Sequence, residues 1–92
     1  MIVKFIISGK VQGVFFRTGI KDYADKIGVR GAVRNLQDNT VEVVAQGDRL
    51  QINQIMGYCK QGSEEAQVTK VDTEKLEEDD TVQKYDAFRI IY

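Results

Sequence analysis

The sequence predicts a single α+β domain in which two helices pack on one sheet. Two segments carry apolar residues at the i, i+3, i+4, i+7 spacing of an amphipathic helix. The segments between them alternate apolar and polar residues, as half-buried strands do, and glycines separate the two kinds of pattern. Ninety-two residues are enough for one hydrophobic core, so we expect one domain over residues 1–92.

The first strand and first helix occupy the N-terminal third of the chain. Residues 1–8 alternate in the manner of a strand, and residues 18–27 predict a helix after the intervening segment 9–17. The stripe expected to face the sheet consists of Ile20, Tyr23, Ala24 and Ile27. Gly28 is the expected stop, because glycine readily adopts the left-handed conformation that ends many helices.

A β-hairpin follows this helix. Residues 29–36 and 40–46 predict the second and third strands, with residues 37–39 as a tight turn between them. Within the turn, Asn39 is the residue expected at positive φ, since asparagine tolerates that region better than most side chains.

The second helix has a clear start signal. Asp48 is the expected N-cap, and Gln51 stands three residues later, as in a capping box. The predicted buried stripe is Ile52, Ile55, Met56 and Cys59, and Gly62 ends the helix. We interpret Cys59 as a small buried residue, because a catalytic thiolate requires exposure and a cationic neighbour.

Two further strands are predicted, over residues 65–74 and 84–92. The acidic run 77–80 between them predicts an exposed loop, since adjacent like charges repel; a metal site there is less favoured, because the run lacks the ligand spacing of a calcium loop. The element order is β-α-β-β-α-β with an extra C-terminal strand. Two right-handed crossovers of this length predict a ferredoxin-like α/β sandwich, with both helices on one face of an antiparallel sheet.

Composition restricts the chemistry and the compartment. The chain has no histidine and a single cysteine, which excludes an internal disulfide and a histidine base and argues against zinc. No run of about 18 apolar residues is present, and the apolar start is too short for a secretory signal. We therefore expect a cytoplasmic protein without a membrane segment, a metal or another cofactor.

Charge is unevenly distributed along the chain. The net charge is −1, but residues 1–35 contain seven Lys and Arg against two Asp, which leaves +5 there and −6 in residues 36–92. An anion is therefore attracted to the N-terminal third. The acidic remainder argues against nucleic acid as a partner.

The segment 9–17, GKVQGVFFR, is the candidate anion-binding site. Its two glycines let the backbone turn and expose N–H groups, and Arg17 arrives where a helix begins. A guanidinium holds two phosphate oxygens in a planar fork, and the backbone amides of residues 11–16 can hold the rest. We expect at least one of Phe15 and Phe16 to pack beneath the loop. The residues alone leave open a purely structural turn.

Asn35, at the end of the second predicted strand, is the candidate for orienting a water molecule. Its amide both donates and accepts hydrogen bonds but is a poor base, so the substrate must already be reactive. A carboxylic-phosphoric anhydride meets this requirement, because its carboxylate leaves without acid assistance. The alternative is that Asn35 bonds its own backbone. Arg34 points to the opposite face of a regular strand and is expected at the surface.

The stretch 8–48 resembles the acylphosphatase family through two signatures, the loop GKVQGVFFR and the G-x-V-R-N segment of residues 31–35 with V-E-V after it. The resemblance implies a metal-independent, cofactor-free hydrolase that converts acyl phosphates to carboxylate and inorganic phosphate. It implies that Arg17 binds the phosphoryl group and that Asn35 positions the attacking water. The family's loop amides map onto 11–17, with contacts expected from Val11, Gln12, Gly13, Val14, Phe15 and Phe16. We expect a monomer with a small-molecule substrate, inhibited by phosphate.

Three positions depart from the family pattern. Ala32 replaces a usually large residue, Asn39 replaces the glycine of an Asp-Gly turn, and Ile91 replaces a frequent arginine. The first two are changes of packing and turn. The third removes a surface charge, so the sequence assigns the C-terminal segment no role in the site.

Other functions of this fold are less favoured. RNA-recognition domains stack bases on aromatic residues of the middle strands, but the third strand, TVEVVAQ, contains none. A regulatory module that binds phosphate without turnover remains an alternative. A domain of the kind that precedes larger carbamoyl-transfer enzymes is a further alternative, although no linker follows residue 92 in this sequence.

Overall fold

The computed structural model describes residues 1–13, 15–62, 65–76 and 85–92. Val14 and the acidic run 77–80 lie outside these residues. Within the described part of the chain, neither helix has the length and apolar character needed to cross a membrane.

Across the described residues, seven elements follow the order that the sequence predicts, and the fold class is confirmed. They are β1 (Ile2–Lys10), α1 (Phe16–Ile27), β2 (Arg30–Asn35), β3 (Val41–Gln46), α2 (Arg49–Gln61), β4 (Gln67–Leu76) and β5 (Phe88–Ile91). The largest difference at a helix boundary is at α1, which begins two residues earlier than the predicted start at Thr18. Phe16 is buried in the core, so the helix already includes it, and Arg17 belongs to the first turn rather than to the loop.

The strands form one sheet in the order β4-β1-β3-β2-β5. The pairs β4-β1, β1-β3 and β3-β2 are antiparallel, but β5 runs parallel to β2, so the sheet is mixed rather than wholly antiparallel. The direction of β5 follows from topology. β4 runs opposite to β1 and ends where β2 begins, so a strand that enters from that end beside β2 must run in the same direction.

β5 is also shorter than the predicted strand 84–92, because its pairing with β2 covers only the four residues Gly31 to Arg34. Residue 84 lies outside the described residues, and residues 85–87 are not in a strand.

The core lies between the sheet and the two helices. Both predicted stripes face it: Ile20 and Ala24 of α1 and three residues of α2, namely Ile52, Ile55 and Cys59, are buried. Tyr23, Ile27 and Met56 are half-buried and pack against the same core. Each large aliphatic or aromatic side chain removed from water in this way contributes about 1.5–3 kcal/mol. The burial of Cys59 is confirmed, and desolvation raises the pKa of its thiol to about 12.

The topology brings four parts of the chain to one end of the sheet. β1, β2 and β5 all run toward this end, and α1 starts there. The loop after β1, the β2–β3 turn and the residue after β5 are therefore neighbours. We call this end of the sheet the loop end.

Candidate active site

A hollow of about 220 Å³ lies at the start of α1. The described residues that line it are Val11, Gly13, Phe15, Phe16, Arg17 and Thr18. The loop turns sharply here, because Gly13 has a φ of 73° and Phe15 a φ of 58°. Val14, one of the predicted amide donors, lies outside the described residues. The other residues predicted to donate backbone amides lie at the loop end of the sheet.

The start of α1 carries no side-chain cap. Phe15 occupies the N-cap position in the left-handed conformation and cannot accept a hydrogen bond with its ring, and the first turn contains no acidic residue. The first N–H groups of a helix have no partner inside the helix and carry a partial positive charge. This helix start is therefore suited to an anion supplied from outside.

Arg17 lies in the first turn of α1 and contributes to the hollow. Its side chain is half-buried, and it makes no ion pair with any of the residues that the structure describes. The guanidinium carbon stands 5.1 Å from the centre of the Tyr92 ring, a cation–π arrangement that leaves the in-plane N–H donors available. Arg17 can therefore offer its planar fork to a phosphate.

The two phenylalanines of the loop have opposite roles. Phe16 is only 1% exposed and joins the core beneath the loop, which confirms that one of the pair supports the loop from below. Phe15 is 77% exposed and stands at the rim of the hollow.

Asn35 is the last residue of β2 and is exposed at the loop end. It is two residues beyond the buried Val33, so in a regular strand its side chain lies on the helix-covered face. Among the hydrogen bonds of the described residues, none involves the Asn35 side chain, including the bond to its own backbone that the alternative interpretation required. Its amide is therefore available to a water molecule or a substrate.

Arg34 lies on the opposite face of β2, and its predicted surface position is confirmed. Its Nε donates to Glu42 Oε1 at 3.0 Å. Arg34, Glu42, Ala32 and Ile91 help to line a separate hollow of about 240 Å³ on that face. Ala32 and Ile91, two of the departures from the family pattern, are thus away from the anion loop.

The Gln12 side chain joins the loop to the hairpin, a role that the sequence did not reveal. Its Nε2 donates one hydrogen bond to Leu36 O and one to Thr40 O, each at 2.9 Å. These two carbonyls are at the ends of the β2–β3 turn, and Leu36 directly follows Asn35. Gln12 was predicted to contribute only its backbone amide, and no local pattern in the sequence indicates a contact 24 residues away.

The hairpin turn is itself well ordered by short-range bonds. Asn39 has a φ of 70°, which confirms the predicted left-handed residue. Thr40 donates to the Asp38 carboxylate through both its hydroxyl and its N–H, and these bonds lower the pKa of Asp38. The turn therefore offers Gln12 a fixed pair of acceptors.

Comparison with known proteins identifies relatives of the whole chain. The acylphosphatase family model matches residues 3–90. An acylphosphatase of Acaryochloris marina is 39% identical over 89 residues, which cover 97% of this chain and 91% of the relative.

Solved structures also match this chain. The crystal structure of acylphosphatase from Bacillus subtilis matches with a TM-score of 0.89 and 30% identity, covering 100% of both chains. A full-length HypF structure matches with a TM-score of 0.81, but at 23% identity over 12% of its length, which is a likeness of fold alone.

Proposed function

Because this chain belongs to the acylphosphatase family and is a hydrolase of acyl phosphates, we propose that Arg17, the loop amides and Asn35 carry out that reaction by direct attack of water on the phosphoryl group. The support comes from one juxtaposition: α1 starts without a side-chain cap, Arg17 makes no ion pair with the described residues, and Gln12 ties this loop to the strand end that bears Asn35.

The loop binds the phosphoryl group electrostatically. Val11, Gly13, Phe15 and Phe16 line the hollow with Arg17, and their backbone N–H groups, near the positive end of α1, and the Arg17 guanidinium are the proposed donors. A loose phosphoryl-transfer transition state spreads charge over three equatorial oxygens, so fixed donors around them lower the barrier. Because Phe16 is buried beneath the loop, these donors need little reorganisation during the reaction.

Asn35 orients the nucleophile. Its side-chain oxygen accepts a hydrogen bond from a water whose oxygen attacks phosphorus, while the bond from phosphorus to the acyl oxygen breaks and the carboxylate leaves. The water's proton passes to the phosphate product or to solvent. No strong base is required, because the carboxylate is a good leaving group and positioning supplies most of the catalysis.

The test is hydrolysis of benzoyl phosphate in the presence of a chelator. We expect activity that persists with chelator and competitive inhibition by inorganic phosphate. Arg17→Ala and Asn35→Ala should each lose about 2–4 kcal/mol of transition-state stabilisation, as removal of one oxyanion donor does. For Arg17→Ala phosphate affinity falls as well, whereas for Asn35→Ala mainly turnover falls.

Arg34→Ala is the matched control, because Arg34 neighbours Asn35 but lies on the opposite face and pairs with Glu42. Its activity should equal that of the parent. Full turnover by a folded Asn35→Ala protein would refute the role of Asn35, and loss on addition of chelator would refute the metal-independent mechanism.

We also propose that residues 1–92 act as a single, monomeric, cytoplasmic domain on a small-molecule substrate, without cofactor, nucleic acid or membrane as partner. Sedimentation equilibrium at assay concentrations should give a mass near 10.4 kDa. A dimer mass would refute the monomer.

A further inference from the structure

Two strongly exposed aromatic side chains lie at the mouth of the anion site. Four large apolar residues are strongly exposed among those that the structure describes: Phe15 (77%), Leu50 (67%), Ile91 (45%) and Tyr92 (97%). Phe15 lines the same hollow as Arg17, and Tyr92 places its ring on the Arg17 guanidinium. Two aromatic rings therefore border the residue proposed to hold the phosphoryl group.

The backbone holds Phe15 outward at a cost. Its φ of 58° and ψ of 22° are in the left-handed region, which is unfavourable for a bulky residue whose side chain cannot form a local hydrogen bond. Glycine or asparagine would adopt this conformation with less strain. Strained residues persist mainly where the surrounding structure requires them, and they cluster at ligand sites. The Phe15 ring does not pack in the core, so we look for its role at the mouth of the hollow that it lines.

Tyr92 reaches the mouth through the topology of the sheet. β5 runs parallel to β2, so it delivers the next residue, Tyr92, to the loop end. The ring covers one face of the guanidinium at 5.1 Å and leaves the fork edge open. Packing in the core does not explain this ring, because it is almost wholly exposed.

We propose that Phe15 and Tyr92 form an acyl subsite that favours aromatic and large apolar acyl phosphates over acetyl phosphate. This inference rests on the proposed function, in which the phosphoryl group lies in the hollow. The acyl group is covalently bonded to that phosphoryl group, so it must emerge at the mouth beside the two rings. A flat apolar acyl group would stack on them and shield them from water.

The experiment compares kcat/KM for benzoyl phosphate and acetyl phosphate. In the parent protein, the benzoyl:acetyl ratio should exceed that of Phe15→Asn and Tyr92→Ala by about three- to tenfold, the size of effect expected from losing one aromatic ring contact. Phe15→Tyr keeps an aromatic ring at this position and should have the same benzoyl:acetyl ratio as the parent protein. Leu50→Ala removes an equally exposed apolar residue at α2 and should leave the ratio unchanged.

An unchanged ratio in both Phe15→Asn and Tyr92→Ala would overturn the subsite, and so would an equal change in Leu50→Ala. A second measurement separates this result from failure of the proposed function. NMR titration with phenylphosphonate and methylphosphonate reports the apolar preference without turnover. Tighter binding of phenylphosphonate that is lost in both variants supports the subsite even if the proposed catalytic roles fail, and equal binding of the two phosphonates by the parent refutes it.

Discussion

The two helices begin in opposite ways. The start of α2 is capped by neighbouring residues. The Asp48 side chain accepts a hydrogen bond from the Gln51 N–H at 2.8 Å, and the Asp48 N–H donates to Gln51 Oε1 at 2.9 Å. α1 has no side-chain cap and begins after the left-handed Phe15. The Gln51 N–H in the first turn of α2 has a side-chain partner, whereas no side chain caps the first N–H groups of α1, which leaves them available to a ligand.

A glutamine near the start of each helix donates hydrogen bonds to another part of the chain. Gln51 also donates to Ile27 O at 3.1 Å, which fastens the start of α2 to the end of α1. Gln12 precedes α1 and reaches the hairpin turn instead. The start of α1 is thus held by tertiary contacts, namely those of Gln12 and the buried Phe16, whereas the start of α2 is held by a cap within its own first turn.

The largest expected effect comes from giving α1 an acidic start. In Phe15→Asp, a carboxylate stands beside Arg17 and the open amides and competes with the substrate's phosphoryl group. We expect phosphate to inhibit about 10- to 30-fold more weakly than in Phe15→Asn, or about 1.4–2 kcal/mol. The carboxylate should at the same time stabilise the helix by about 0.3–1 kcal/mol.

Inhibition constants and thermal denaturation of the two variants measure both effects. Asparagine is the matched control, because it has nearly the same shape, tolerates positive φ and carries no charge. Equal phosphate affinity in the aspartate and asparagine variants would show that the start of α1 is not the anion site.

The next largest effect is expected from removing the hydrogen bonds that join Gln12 to the hairpin turn. Gln12→Glu keeps the shape of the side chain but replaces the amide donor with an acceptor that faces two carbonyl oxygens. We expect a loss of about 1–1.5 kcal/mol in unfolding free energy and a lower kcat, because Asn35 is no longer held in register with the loop. Urea denaturation and initial rates provide the measurements.

Gln12→Ala removes the two hydrogen bonds without placing a carboxylate against the carbonyl oxygens. Its unfolding free energy should therefore fall by no more than that of Gln12→Glu. If Gln12 acts through Asn35, the kcat effect of Gln12→Ala disappears in an Asn35→Ala background, as expected for coupled residues. Additive effects would mean that Gln12 supports the loop alone.

A smaller effect, confined to stability, is expected at α2. Asp48→Ala removes the capping box and should lower the free energy of unfolding by about 1 kcal/mol. Turnover should not change, because α2 starts at the end of the sheet opposite the loop end. Asp48→Asn, which still caps, should retain most of the stability, and a fall in kcat for folded Asp48→Ala would contradict the division between the two helix starts.

Cys59 of α2 should have no effect on catalysis at neutral pH. Its folded pKa of about 12 is above the ordinary thiol value of 9.0, so above pH 9 the unfolded chain loses the proton first. The folded protein should then lose about 1.4 kcal/mol of stability per pH unit from this group as pH rises from 9 toward 12.

Cys59→Ala lacks this contribution, so the gap in stability between parent and variant should narrow over that range. Urea denaturation at pH 8, 9 and 10 measures it, and groups common to both proteins cancel in the difference. A constant gap would mean that the thiol is not desolvated.

Features that depend on short sequence separations were predictable. The helix stripes around Ile20 and Ile55, the capping box at Asp48 and the left-handed Asn39 each involve residues within a few positions of one another, where propensity and spacing act directly. The loop with Arg17 and the strand end with Asn35 were also identifiable, because their residue types suit phosphate and water.

The sequence by itself determined the element order, the two helix faces and the candidate site residues, since these follow from local backbone preference and apolar periodicity. Tertiary structure alone decided that β5 runs parallel to β2, that Gln12 joins the loop to the hairpin, and that Tyr92 stands on Arg17. These contacts connect residues 24 to 75 positions apart. They arise only when the strands assemble, because no local conformational preference encodes which distant carbonyl or ring becomes a neighbour.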